Sequence, residues 1–116
     1  MKKKLDCYLR PYRRRWGLTQ DELAALLGCK TGAVISRLER NDRQPSLEAA
    51  YAFDVIFGTA PIELFPGLHA KVKKNVIARA RDLYDALQGD SSKTARLKLD
   101  FFEDVFARAQ SHRKST

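Results

Sequence analysis

The chain has 116 residues, 44% hydrophobic and 31% charged, which suits one compact core or a small domain with an appendage and is too apolar for wholesale disorder. Its 22 Lys and Arg against 14 Asp and Glu leave a net charge of +8, which fits a polyanionic partner, nucleic acid first. Two cysteines, Cys7 and Cys29, exclude a disulfide framework, and with only His69 and His112 far from them they match no zinc spacing.

The opening MKKKLDCYLRP is basic, but Asp6, Arg10 and Pro11 interrupt any apolar core of a signal peptide, and no later run reaches membrane-spanning length. An intracellular, cytoplasmic protein with reduced thiols is expected. Lys2, Lys3 and Lys4 read as a solvated end. Apolar residues then fall three and four apart, with no strict alternation bounded by hairpin turns, so the predicted fold is all-α.

A short first helix holds Pro11 in its first turn, ends at Trp16 and stops at Gly17. Leu18 to Leu23, LTQDEL, carries a capping box of Thr19 and Glu22; Leu23, Leu26 and Leu27 are the expected apolar face of the second helix, which Gly28 ends. Thr31 is the expected cap of a third helix, over about 31–40, with Ile35 and Leu38 inward. Ser46 caps a fourth, with Leu47, Ala50, Tyr51, Ala52, Val55 and Ile56 available to the core and Gly58 as its stop. Thr59 to Phe65 supports another turn or two, and Pro66-Gly67 is expected to end it. Tyr12, Trp16 and Tyr51 are expected in the core or at its rim.

Beyond Gly67 the stretches Leu68 to Gln88 and Lys93 to Gln110, joined by GDSS, predict a helical hairpin. The domain division follows as 1–67 and 68–116. The second long helix is apolar over a wide arc, so the hairpin is expected to pack on the first domain, a second subunit, or both.

Two short helices joined by a small-residue turn, the first strongly capped and the second ending in basic residues, have the form of a DNA-binding helix-turn-helix. GLTQDELAALLG, ISRLER and QPSLEAAYAFDVIFGTAPIELF, within Leu9 to Gly67, resemble the Cro/repressor-type (XRE) helix-turn-helix family, whose usual sequence runs G-L-[ST]-Q-x-x-L-A, I-S-x-x-E-x-G and P-[ST]-L. The resemblance implies a five-helix repressor-like domain whose third helix reads DNA while the second lies across the backbone. It implies that Gln20 meets a phosphate and that Arg13 pairs with Glu39 to tie the first helix to the third. The sequence departs from the family in one extra residue between Gly28 and Glu39, in Asn41 where glycine is usual, and in Gly32 and Ala33 where longer polar side chains are common.

Ala33 and Val34 are expected against thymine methyl groups, Arg37 against guanine O6 and N7, and Ser36 as a second base contact. Lys30, Thr31, Arg40 and Arg43 supply backbone contacts, and the Gly32 amide is expected at a phosphate. The expected function is a transcriptional regulator binding double-stranded DNA as a homodimer through the hairpin. The alternative is a protein-interaction module, such as an antitoxin or anti-repressor, whose hairpin binds a protein partner. No Ser-His-Asp or Cys-His set, glycine-rich phosphate loop or metal cluster points to an enzyme, and no cofactor is expected.

Overall fold

The computed structural model describes residues 6–114, and all regular structure in them is helical. The elements run α1 (Leu9–Arg15), α2 (Gln20–Leu26), α3 (Ala33–Glu39), α4 (Leu47–Phe57), α5 (Pro61–Leu64), α6 (Pro66–Ala86) and α7 (Lys93–Lys114). The chain divides into two compact units, Met1–Ala70 and Lys71–Thr116. No helix among the described residues is long and apolar enough to cross a membrane. Lys2, Lys3 and Lys4 lie outside the described residues.

The first unit is built from helices too short to persist alone, so its core holds them. Leu9, Leu23, Ile35, Leu38, Phe53 and Leu64 are fully buried, one or more from each of α1 to α5. Phe53 sits among aromatic rings, 6.0 Å from Phe65 and 6.4 Å from Phe57. Cys7 and Cys29 are free thiols, half-buried against this core.

Several helix faces differ from expectation. On α2 the inward pair is Leu23 and Ala24, and Leu26 is exposed. On α4 the inward residues are Ala50 and Phe53, while Leu47, Tyr51 and Val55 face solvent. That helix is apolar nearly all round, so its periodicity does not pick a face; the bulk of Phe53 decides it. Trp16 is exposed as well, and of the aromatics expected at the core only Tyr12 packs there, 5.9 Å from Phe57. α5 ends at Leu64, directly before Phe65 and Pro66, and Pro66 itself begins α6, two residues ahead of the expected start, in the first-turn position where a missing amide hydrogen costs nothing.

In the second unit Tyr84 of α6 meets Phe106 of α7 edge-on at 5.7 Å, and its hydroxyl donates to Glu103 Oε2 at 2.9 Å. Arg81 lies over the Phe106 ring as well, 5.0 Å from its centre. The fully covered apolar residues of this unit are Ala80 and Ala95, whereas Val72, Val76, Leu83, Leu97 and Phe101 remain about half exposed or more.

Candidate nucleic-acid interface

The site begins with how α2 starts and stops. Thr19 Oγ1 accepts from the Glu22 amide at 3.0 Å and Glu22 Oε1 accepts from the Thr19 amide at 2.9 Å, so two amides of the first turn are satisfied reciprocally. At the other end Gly28 takes a φ of +81°, and the Cys29 amide reaches back to the Ala24 carbonyl at 2.9 Å. This closure turns the chain towards α3.

Gly32 precedes α3 and is buried against α2. Its φ of −74° is open to any residue, so what the position demands is space. A Cβ there would lie 2.8 Å from Asp21 Oδ1, 2.8 Å from Gln20 Cβ and 2.9 Å from the Gln20 carbonyl carbon. The Gly32 amide donates to Asp21 Oδ1 at 2.7 Å, and Thr31 Oγ1 accepts from the Ala33 amide at 3.3 Å. Two expectations are corrected by this geometry. The N-cap of α3 is Gly32 rather than Thr31, and the Gly32 amide is held by a carboxylate within the protein instead of facing a phosphate.

The far end of α3 is fixed by Glu39, whose side chain is wholly covered. Arg13 Nε donates to its Oε2 at 2.7 Å; Arg13 Nη2, Arg10 Nε and Gln20 Nε2 donate to its Oε1 at 3.2, 3.1 and 3.1 Å. Burial alone would raise the Glu39 carboxyl, but hydrogen bonds from Arg13, Gln20 and Arg10 outweigh it and hold the carboxyl below the ordinary carboxylate range. Arg13 Nη1 also donates to the Leu18 carbonyl at 2.8 Å. One carboxylate therefore joins α1, the start of α2 and the end of α3. One hydrogen of the Gln20 amide goes to this cluster. Arg10 belongs to it too, and its place three residues before Arg13, on the same side of α1, is the sequence signal that could have found it.

After Glu39 the chain leaves α3 through Asn41 at φ +62°, with the Asp42 amide returning to the Arg37 carbonyl at 2.9 Å and the Asn41 amide to Leu38 at 3.2 Å. Asparagine thus serves where glycine is usual, in a Schellman closure.

Between these fixed ends α3 shows two sides. Ile35 and Leu38 are buried; Ala33, Ser36, Arg37 and Arg40, spaced three and four apart, line the opposite side, Ser36 half-buried and the others exposed. Val34, between the two sides, is half-buried and packs in part against the core. Lys30, Thr31 and Arg43 are exposed beside the helix. Arg40 Nε stands 3.4 Å from Asp42 Oδ2, a solvent-exposed pair of small worth that a phosphate can displace. The outward edge of α3 so presents a methyl, a hydroxyl and two guanidinium groups, with further cations at both ends. Such an edge suits a polyanion with readable base edges.

No curated protein and no solved structure matches the chain. Residues 9–64 match the family model described as Helix-turn-helix, and this span contains α1 to α5 with the Glu39 cluster and the exposed edge of α3. With that match on the repressor-type motifs, residues 9–64 form a helix-turn-helix domain of the Cro/XRE type.

Proposed function

We propose that the protein is a cytoplasmic transcriptional regulator that binds double-stranded DNA in a sequence-specific manner as a homodimer, with α3 in the major groove. The observation that carries this reading is the outward edge of α3, where Ala33, Ser36, Arg37 and Arg40 share one side while Glu39 anchors the helix from behind. Arg37 is the principal base reader, through guanine O6 and N7; Ser36 and Ala33 complete the readout. Lys30, Thr31, Arg40 and Arg43 hold the sugar-phosphate backbone, and the Gln20 amide adds to them through its second hydrogen.

The homodimer rests on the second unit. A two-helix hairpin whose covered apolar residues are alanines has little core of its own, and its exposed Val72, Val76, Leu83, Leu97 and Phe101 need a partner. A second copy supplies one by completing a four-helix arrangement. One recognition helix reads few base pairs, so a dimer over two half-sites gives useful selectivity.

Selection of bound sites from a random duplex pool at fixed salt tests the reading. The expected product is a two-fold symmetric site with half-sites spaced by about 10 bp or a multiple of it. A pool that stays random after selection refutes it.

A further inference from the structure

Between Arg43 and Lys71 the sequence has no lysine or arginine, although the whole chain carries +8. The acidic residues of this stretch, Glu48, Asp54 and Glu63, are all exposed. On α4, within the same stretch, Leu47, Tyr51 and Val55 are 69%, 63% and 86% exposed. Their four-residue spacing sets them along one side of the helix with a drift of about 40° per step. The same geometry sets Glu48 on one border of that stripe and Asp54 on the other. The opposite side of α4 carries Ala50 and Phe53 into the core, so the helix is anchored behind the stripe.

Charge decides what fits. Nucleic acid and anionic lipid headgroups are repelled by the bordering carboxylates. A second copy is opposed as well: Glu48 and Asp54 lie three residues to either side of Tyr51 on opposite borders, so an antiparallel two-fold pairing centred there lines one flank with the Glu48 carboxylates of both copies and the other with both Asp54 carboxylates. A cationic flank on either side of an apolar ridge satisfies both the stripe and its borders. Helices that dock in this manner present apolar anchors three and four residues apart.

We propose that the Leu47–Tyr51–Val55 face of α4 is a docking surface for a basic amphipathic helix of a partner protein. The surface is separate from the exposed edge of α3 and does not depend on the DNA-binding reading.

Two synthetic helical peptides of about five turns test it, both with leucines three and four apart, one flanked by lysines and the other by glutamates. Each is titrated into the isotope-labelled full chain and followed by amide shifts. The lysine-flanked peptide is expected to move the Leu47, Tyr51 and Val55 amides and to bind about tenfold more tightly than the glutamate-flanked one, against the net charge of the chain. Glu48→Lys with Asp54→Lys is expected to reverse that preference. Val55→Lys, and separately Tyr51→Ser, are expected to weaken the lysine-flanked peptide about tenfold while the thermal midpoint stays unchanged. Equal binding of both peptides, shifts away from α4, or insensitivity to both single variants overturns the proposal. A fall in sedimenting mass with Val55→Lys also overturns it, since the occupant would then be a second copy.

Discussion

The Gly32 amide donates to Asp21 Oδ1 at 2.7 Å, and a methyl group on the Gly32 α-carbon would stand 2.9 Å from the Gln20 backbone. Both distances have one cause: α3 enters against the first turn of α2 with no room for a side chain. In this position α3 turns Ile35, Leu38 and the Glu39 side chain inward. A flexible side chain can move aside, but the Gln20 carbonyl carbon belongs to the capped turn of α2. Gly32→Ala is therefore expected to destabilise the first unit by roughly 1–3 kcal/mol, the range for forced overpacking. Urea unfolding of the variant reads this as a lowered midpoint at constant slope; an unchanged midpoint refutes the space argument.

The pH dependence of stability takes its sign from the surroundings of Glu39. Its carboxyl is held below its ordinary value in the folded protein, so the ionised form favours folding. That contribution is fully present above the unfolded value of about 4.3 and is lost as pH falls through the lower folded value. Glu39→Gln is expected to be less stable at neutral pH and to show a shallower loss of stability below about pH 4.3 than the parent chain. Arg13→Ala leaves the covered carboxylate short of its best donor and is expected to cost about 3–5 kcal/mol, the usual loss when one partner of a buried ion pair is removed. Unfolding midpoints collected from acid to neutral pH check both. Parallel pH profiles for the parent and Glu39→Gln would remove Glu39 from this role.

Features that depend only on near neighbours in the chain are legible in the sequence itself. The Thr19–Glu22 box, the Ser46 cap and the left-handed Asn41 are of this kind, and all three are present. The inward face of α4 is not legible, because a helix apolar on nearly every side carries no phase for periodicity to find, and Phe53 settles it only through packing beyond its own helix, as against Phe65. Gly32 misleads for a related reason. A glycine at the front of a recognition helix invites a phosphate, and only the distance to α2 shows that its missing side chain serves the protein's own packing. Asp21 gives no signal of its contact with Gly32, since an acidic residue in a first helical turn already has a reason to be there in the helix dipole.

Within the proposed function, Arg37 and Arg43 should fail differently. Arg37 stands exposed on the outward side of α3, whereas Arg43 lies in the loop beyond it. Arg37→Ala is expected to cost about 1–3 kcal/mol on the preferred site and to relax selection at one base pair. Arg43→Ala is expected to weaken all sequences alike and to reduce the slope of log affinity against log salt by about 0.9. Binding measured on the selected site and on an unrelated duplex over a salt series separates the two. Equal losses on both duplexes for Arg37→Ala would reassign it to the backbone.

In the proposed homodimer, two-fold symmetry makes the hairpin sensitive to a single charge. Leu97 and Phe101 are 63% and 56% exposed and lie one turn apart on α7, so they share one face. In a two-fold interface each substitution enters twice, and a carboxylate placed there is desolvated on both copies. Phe101→Asp is expected to convert the dimer to a monomer at micromolar concentration, read by sedimentation, while helix content is retained in the first unit. Affinity for a site with two half-sites should fall much more than affinity for an isolated half-site, because dimer contacts add only when both are occupied. Equal losses on the two duplexes, or a parent chain that sediments as a monomer both alone and on DNA, would separate the hairpin from DNA recognition.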